Sequence, residues 1–218
     1  MRDELQKEER VNVFKSLVRA FKERKRRGSP WLLVPLCALL IFFALNARYF
    51  FTVAKFQVSP PAQDQSVDAD ASPLVAPNQL SIPRLGIEAP IQYVEENSEA
   101  VFQDALMEGV VHYPGTAMPG ELGNVYIFGH SSDLAWKRNP YATVFALLPQ
   151  IKPGDEIIIS DAQGKAMTYI AQDTVIVNPS DVEVLSQFDY QKKMLTLQTS
   201  YPLGTALQRF IVTAILKE

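Results

Sequence analysis

From about Gln79 to the C-terminus the chain is a succession of short alternating apolar runs broken by turns. LSIPRLGIEAPIQYV, NVYIFGH, DEIIIS, AMTYIAQDTVIV, KMLTLQTS and LQRFIVTAILK have the period-two, β-branched texture of strands. The DAQG segment from Asp161 to Gly164 reads as a hairpin turn between two of them. Only SEAVFQDAL and ATVFALLPQ carry helical spacing. Many short strands with little helix predict a mainly β domain over 79–218, a closed or nearly closed barrel.

The residues before it behave differently. WLLVPLCALLIFFAL, from Trp31 to Leu45, is uncharged, and counted through Phe51 the run has the roughly 20 residues a bilayer crossing needs. KERKRRGSP precedes it, so the positive-inside rule keeps the N-terminus in the cytoplasm. Arg48 is placed to snorkel, and Trp31 and Tyr49 suit the two interfaces. A cleaved signal peptide would need a small-x-small site close behind the run, and LNARYFFTVAK offers only a poor one. The expectation is therefore a basic cytoplasmic segment over 1–30 and a retained transmembrane helix over 31–54. Residues 11–21 fit either a short basic amphipathic helix on an anionic lipid surface or a solvated tail. Residues 57–78 are rich in Pro, Ala, Ser and Asp, and 55–78 reads as a stalk that buries no core.

Charge and cysteine usage narrow the function. Residues 1–27 carry ten Lys or Arg against five acids, so the net charge of −3 leaves −8 on the rest of the chain. That distribution points to a membrane surface and not to nucleic acid. Cys37 is the only cysteine, so no intramolecular disulfide and no multi-cysteine zinc site exists. With His112 and His130 as the only histidines, a His-rich site is disfavoured. Glu95, Glu96, Glu108 and Asp181 have no calcium-loop spacing, and no metal or cofactor is predicted.

Three polar residues end or interrupt strongly apolar strands: His130 after NVYIFG, Ser200 at the end of MLTLQTS, and Arg209 within LQRFIV. Singly, each has an ordinary structural explanation as a hydrogen-bonded histidine, a turn serine or an edge arginine. Together they form an acyl-transfer set of attacking group, proton shuttle and oxyanion donor. Alternation in LQRFIVTAI puts Leu207, Arg209, Ile211 and Thr213 on one face and Gln208, Phe210, Val212 and Ala214 on the other. His112 and Asp133 are possible auxiliaries, although His112 reads first as a structural residue packed against its own Pro-Gly loop and a Ser-Ser-Asp turn accounts for Asp133 as well.

The ordered motifs resemble the sortase family, the membrane-anchored bacterial cysteine transpeptidases. LTLQTSYPLGT is similar to the sortase signature TLxTC, GNVYIFGHS to its histidine strand and QRFIVTA to its arginine strand. IPRLGIEAPI resembles the first barrel strand, and GVVHYPGTAMPGELGN the segment leading to the histidine. The likeness spans residues 80–216 and implies a sortase-like closed barrel of about eight strands with short helices, behind one transmembrane helix. It further implies cleavage of an LPxTG-like sorting signal and transfer of the acyl group to an amine of the cell wall or a pilin, outside the bacterial membrane. Carried over by position, His130 is the acid/base, Arg209 the oxyanion clamp and Ser200 the nucleophile, with Ile176, Val184, Leu197 and Thr199 as groove residues. The departure is Ser200, where the family has cysteine. A thiol of pKa about 8.5 supplies thiolate readily, whereas a serine hydroxyl needs an oriented base, so a large loss of rate is expected with the site's shape kept. A non-catalytic module that binds sorting signals or a partner is the alternative, and a working serine acyltransferase the third reading.

Overall fold

The structure is a computed structural model, and it describes Lys15 and residues 30–58, 76–132, 139–186 and 191–217. The segment 11–21, apart from Lys15, most of the 55–78 stalk and Asp133 lie outside the described residues. The chain divides into two compact units, 1–45 and 46–218.

The first unit contributes helix α1 (Pro30–Leu45), whose described side chains are exposed and apolar, with Cys37 among them. Asn46 interrupts the helical run, and helix α2 (Ala47–Val58) opens the second unit. Among the described residues no single helix is long and apolar enough to cross a membrane; α1 and α2 meet that length only together. Helix α2 reaches into the span read as stalk, and its Val53 and Phe56, three residues apart on one helical face, pack against the barrel core.

Eight strands close into a barrel in the order β1-β2-β3-β4-β7-β8-β6-β5. They are β1 (Gln79–Ile82), β2 (Ile87–Tyr93), β3 (Val110–His112), β4 (Gly123–Phe128), β5 (Glu156–Ser160), β6 (Ala166–Val177), β7 (Lys193–Tyr201) and β8 (Gln208–Leu216). Alternate residues fill the interior: Val125 and Ile127 of β4, Leu195 and Leu197 of β7, and Phe210, Val212 and Ala214 of β8 all join one core. This is the period-two pattern at work, since each strand of a closed barrel has one face inside and one outside. Closure pairs β5 with β1 through Leu80↔Ile159 and leaves no open edge in the ring.

Two sequence expectations need revision. The first apolar run is two strands, because Pro83–Leu85 form a 3-10 turn that ends on Gly86 in the left-handed region at φ 61°. ATVFALLPQ is not an α-helix: 140–147 are turns followed by the 3-10 segment Leu148–Gln150. Its apolar residues, Phe145 and Leu148 among them, are fully enclosed in the core, so burial and not helical repetition sets their spacing. SEAVFQDAL does form a helix, α3 (Glu99–Ala105), capped by Ser98 accepting from the Val101 N–H.

Candidate functional site

Ser200 and Arg209 stand on the outer face of β7 and β8, and His130 follows the end of β4. Strands β4 and β7 are parallel neighbours, paired from Gly123↔Lys193 to Phe128↔Gln198. Parallel strands end at the same rim. Two residues beyond the last pair, the same register sets His130 opposite Ser200. The extension is anchored at each step: the Gly129 N–H donates to the Gln198 carbonyl (3.1 Å), and the Thr199 hydroxyl donates to the Gly129 carbonyl (2.8 Å). Strand β8 then runs antiparallel to β7 and puts Arg209 directly across from Ser200. Arg209 shares its face with Ile211 and Thr213, opposite the core residues Phe210, Val212 and Ala214, as the alternation predicts.

His130, Ser200 and Arg209 line one cavity of about 370 Å³. Its floor also includes Tyr126, Phe128 and Gln198; α3 supplies Glu99, Phe102 and Gln103, and the segment 179–185 supplies Asp181, Val182 and Val184. The walls are tied to the floor. Phe102 meets Phe128 edge to face at 5.1 Å, and the Asn124 amide donates to the Val184 carbonyl at 3.3 Å. Two more bonds hold the rim: the Phe145 N–H donates to the His130 carbonyl (2.9 Å), and the Gly204 N–H to the Ser132 hydroxyl (3.1 Å). The loop after His130 is thereby stitched to the turn after Ser200. Nη1 of Arg209 donates to the Ala206 and Gln208 carbonyls, both at 3.1 Å, which holds the guanidinium against its own turn.

The other residues singled out from the sequence are distributed as follows. Val184 and Thr199 line the cavity. Leu197 does not; it is fully enclosed in the barrel core, a burial worth about 2–3 kcal/mol. Ile176 is exposed on β6, across from Phe210, and is likewise outside the cavity lining. His112 is buried away from the cavity lining, its Nε2 within 2.9 Å of the Ala117 carbonyl and 3.1 Å of the Thr116 hydroxyl, its ring beside Tyr93. Burial pushes its pKa below the ordinary histidine value, against the opposing bond to Ala117. It fastens the Pro-Gly loop to β3. Among the described residues no cluster of three or more His, Cys, Asp or Glu is arranged to hold a metal.

Tyr126 and Gln198 were not singled out from the sequence, since each sits inside a strand run where a tyrosine or glutamine is unremarked. The signal was present in the parity: both share the outer face with Ser200. The Tyr126 hydroxyl donates to Oε1 of Gln198 at 2.6 Å. Burial pushes the Tyr126 phenol up, while the positive charge of Arg209 pulls it partly back, so this hydroxyl keeps its proton beside the guanidinium.

Comparison with known proteins follows the same outline. A family model described as the sortase domain matches residues 80–217. The chain is 30% identical over 136 residues to Sortase D of Bacillus subtilis, a match covering 61% of this chain and 60% of that protein. The chain thus spans less than two thirds of that relative's length. Among solved structures it resembles a Clostridium perfringens Sortase D5 transpeptidase with 28% identity and a TM-score of 0.53, covering 64% of this chain and 78% of the other. It also resembles Clostridium perfringens sortase C solved with the C-terminal cell wall sorting motif, with 26% identity and a TM-score of 0.53, covering 64% and 69% of the two chains. Motif order, barrel topology and these matches agree, and the chain belongs to the sortase family.

Proposed function

We propose that the barrel is a sortase-type transpeptidase site, built to take an LPxTG-like sorting peptide and pass its acyl group to an amine of the cell wall or a pilin, and slowed by serine at the nucleophile position. The observation that carries this reading is the Ser200↔Arg209 pair with His130 at the same rim, all three lining one cavity. In that arrangement the Ser200 hydroxyl attacks the scissile carbonyl and its proton passes to His130. Negative charge gathers on the carbonyl oxygen, where Arg209 opposes it. His130 returns the proton to the leaving amine, an acyl ester remains on Ser200, and an incoming amine resolves it by the reverse sequence. The weak step is the first, because a serine hydroxyl ionises far less readily than a thiol and needs an oriented base.

We place the chain in the bacterial membrane through the apolar run that opens at Trp31, with the N-terminus cytoplasmic and the barrel outside. The supporting observations are the basic segment before the apolar run and the exposed apolar surface of α1. The decisive experiment is Ser200→Cys in the full chain, assayed in detergent for hydroxylamine-dependent cleavage of quenched LPxTG-like peptides. Cleavage by the cysteine form, many-fold above the serine form, is the expected result. Peptide binding by both forms with turnover by neither would instead make this a binding module for sorting signals. Labelling of Ser200 by a fluorophosphonate would favour a working serine acyltransferase.

A further inference from the structure

The outer face of β4 and β7 repeats one diagonal contact. Asn124 is paired with Met194 but bonds Thr196, whose hydroxyl lies 2.9 Å from Oδ1. Tyr126 is paired with Thr196 but bonds Gln198 at 2.6 Å. The first contact is buried and satisfies itself; the second opens into the cavity. In this bond the Tyr126 hydroxyl is the donor and Oε1 of Gln198 the acceptor. The orientation of the Gln198 amide is thereby set, with its Nε2 hydrogens turned away from Tyr126. That nitrogen makes no hydrogen bond among the described residues, and Gln198 lines the cavity.

An extended peptide laid in this cavity brings main-chain carbonyls that lose their water, and each needs a donor. The side-chain N–H donors lining the cavity are few. Gln103 donates to Glu99 at 2.8 Å. His130 and Arg209 are assigned to the reacting atoms. Gln198 remains, two residues from Ser200 on the same face, a separation of about 7 Å along a strand. A substrate strand has nearly the same repeat. We infer that Gln198, held in one amide orientation by Tyr126, is a substrate-binding donor to the substrate carbonyl two residues from the scissile one, which in an LPxTG-like peptide is that of the proline. The inference rests on the sorting-peptide reading of the site.

A double-mutant cycle tests it, using the full-length chain in detergent, Gln198→Leu and Tyr126→Phe variants, and two peptides. One peptide is Leu-Pro-Glu-Thr-Gly; the other replaces the proline carbonyl amide with an alkene of the same shape. Kd is measured on the Ser200 protein, and kcat and KM are measured in the Ser200→Cys background. The parent protein is expected to bind the alkene peptide about 5- to 30-fold more weakly. Gln198→Leu should bind the amide peptide more weakly by a similar factor, and should distinguish the two peptides by a clearly smaller factor than the parent does. Tyr126→Phe, which leaves the donor but frees its orientation, should raise KM by a smaller factor with kcat little changed. Equal discrimination between the peptides by the parent and by Gln198→Leu would overturn the inference alone. So would equal binding of both peptides by the parent, a result that needs no variant to fold. No binding by the Ser200 form and no cleavage by the Ser200→Cys form would overturn the sorting-peptide reading as well.

Discussion

Gly129 lies between the β4 core and His130, and a single methyl group there tests how tightly the site depends on the barrel. A Cβ at this position would stand 2.8 and 3.0 Å from two ring carbons of Phe145 and 3.0 Å from a methyl of Val110. Apolar carbons are comfortable at about 3.5–4.0 Å, so at least 0.5–0.7 Å must be found at each contact. Phe145 and Val110 are fully buried and have little room to give. Overpacking of this size costs about 1–3 kcal/mol, or roughly 3–10 °C in the midpoint of a domain this long. The alternative relief is outward movement of residue 129, which would pull on its bonds to Gln198 and Thr199 and carry His130 with it. Misplacing a catalytic group by about 1 Å costs around 100-fold. Gly129→Ala in the Ser200→Cys background is therefore expected to lose cleavage rate well beyond any loss of folded protein at the assay temperature. Thermal unfolding followed by circular dichroism, run beside the cleavage assay, separates the two effects. Gly154→Ala serves as the control: nothing lies within 4 Å of the added carbon, and the cost is confined to its φ of +92°. An unchanged midpoint together with an unchanged rate for Gly129→Ala would refute the packing argument.

Arg209→Ala in the Ser200→Cys background should lower kcat/KM by about 100- to 1000-fold while peptide Kd changes much less, as for a group that acts on charge appearing in the transition state; an equal loss in both would reduce Arg209 to a binding contact. His112 has a folded pKa below its ordinary 6.5, so as pH falls past about 6.5 the unfolded chain takes up the proton first and stability drops until the folded group also protonates. Urea midpoints should accordingly fall between about pH 7 and 5, and His112→Gln should flatten that part of the profile; an undiminished slope would place the titration elsewhere.

Legibility in the sequence followed physical strength. Strands with a full period-two face, such as LTLQTS and QRFIVTAI, were readable, because one face must be buried and any slip in register exposes it. The meeting of His130, Ser200 and Arg209 at one cavity was readable for a related reason, since each breaks an apolar pattern at a strand end. Strand β3 was not, because Val110–His112 has three buried residues and no alternation to detect. ATVFALLPQ misled because apolar residues that plug a barrel end obey the shape of the cavity and not a local repeat. Leu197 was carried over from the family resemblance as a groove residue, whereas its odd separation from Ser200 within one strand turns it into the barrel core. The Tyr126–Gln198 contact depends on which strands become neighbours, 72 residues apart, and that pairing is decided by the whole barrel.

The parallel pairing of β4 with β7 also has a consequence in time. His130 is synthesised 70 residues before Ser200, and Arg209 arrives only on the final strand. Neighbours this distant are joined late, because the intervening loop must close before the pair contributes anything. A chain completed only as far as β6 holds His130 with neither Ser200 nor Arg209 beside it. The cavity that His130, Ser200 and Arg209 line thus comes into being with closure of the barrel, and partly folded forms of the protein carry these residues without bringing them together.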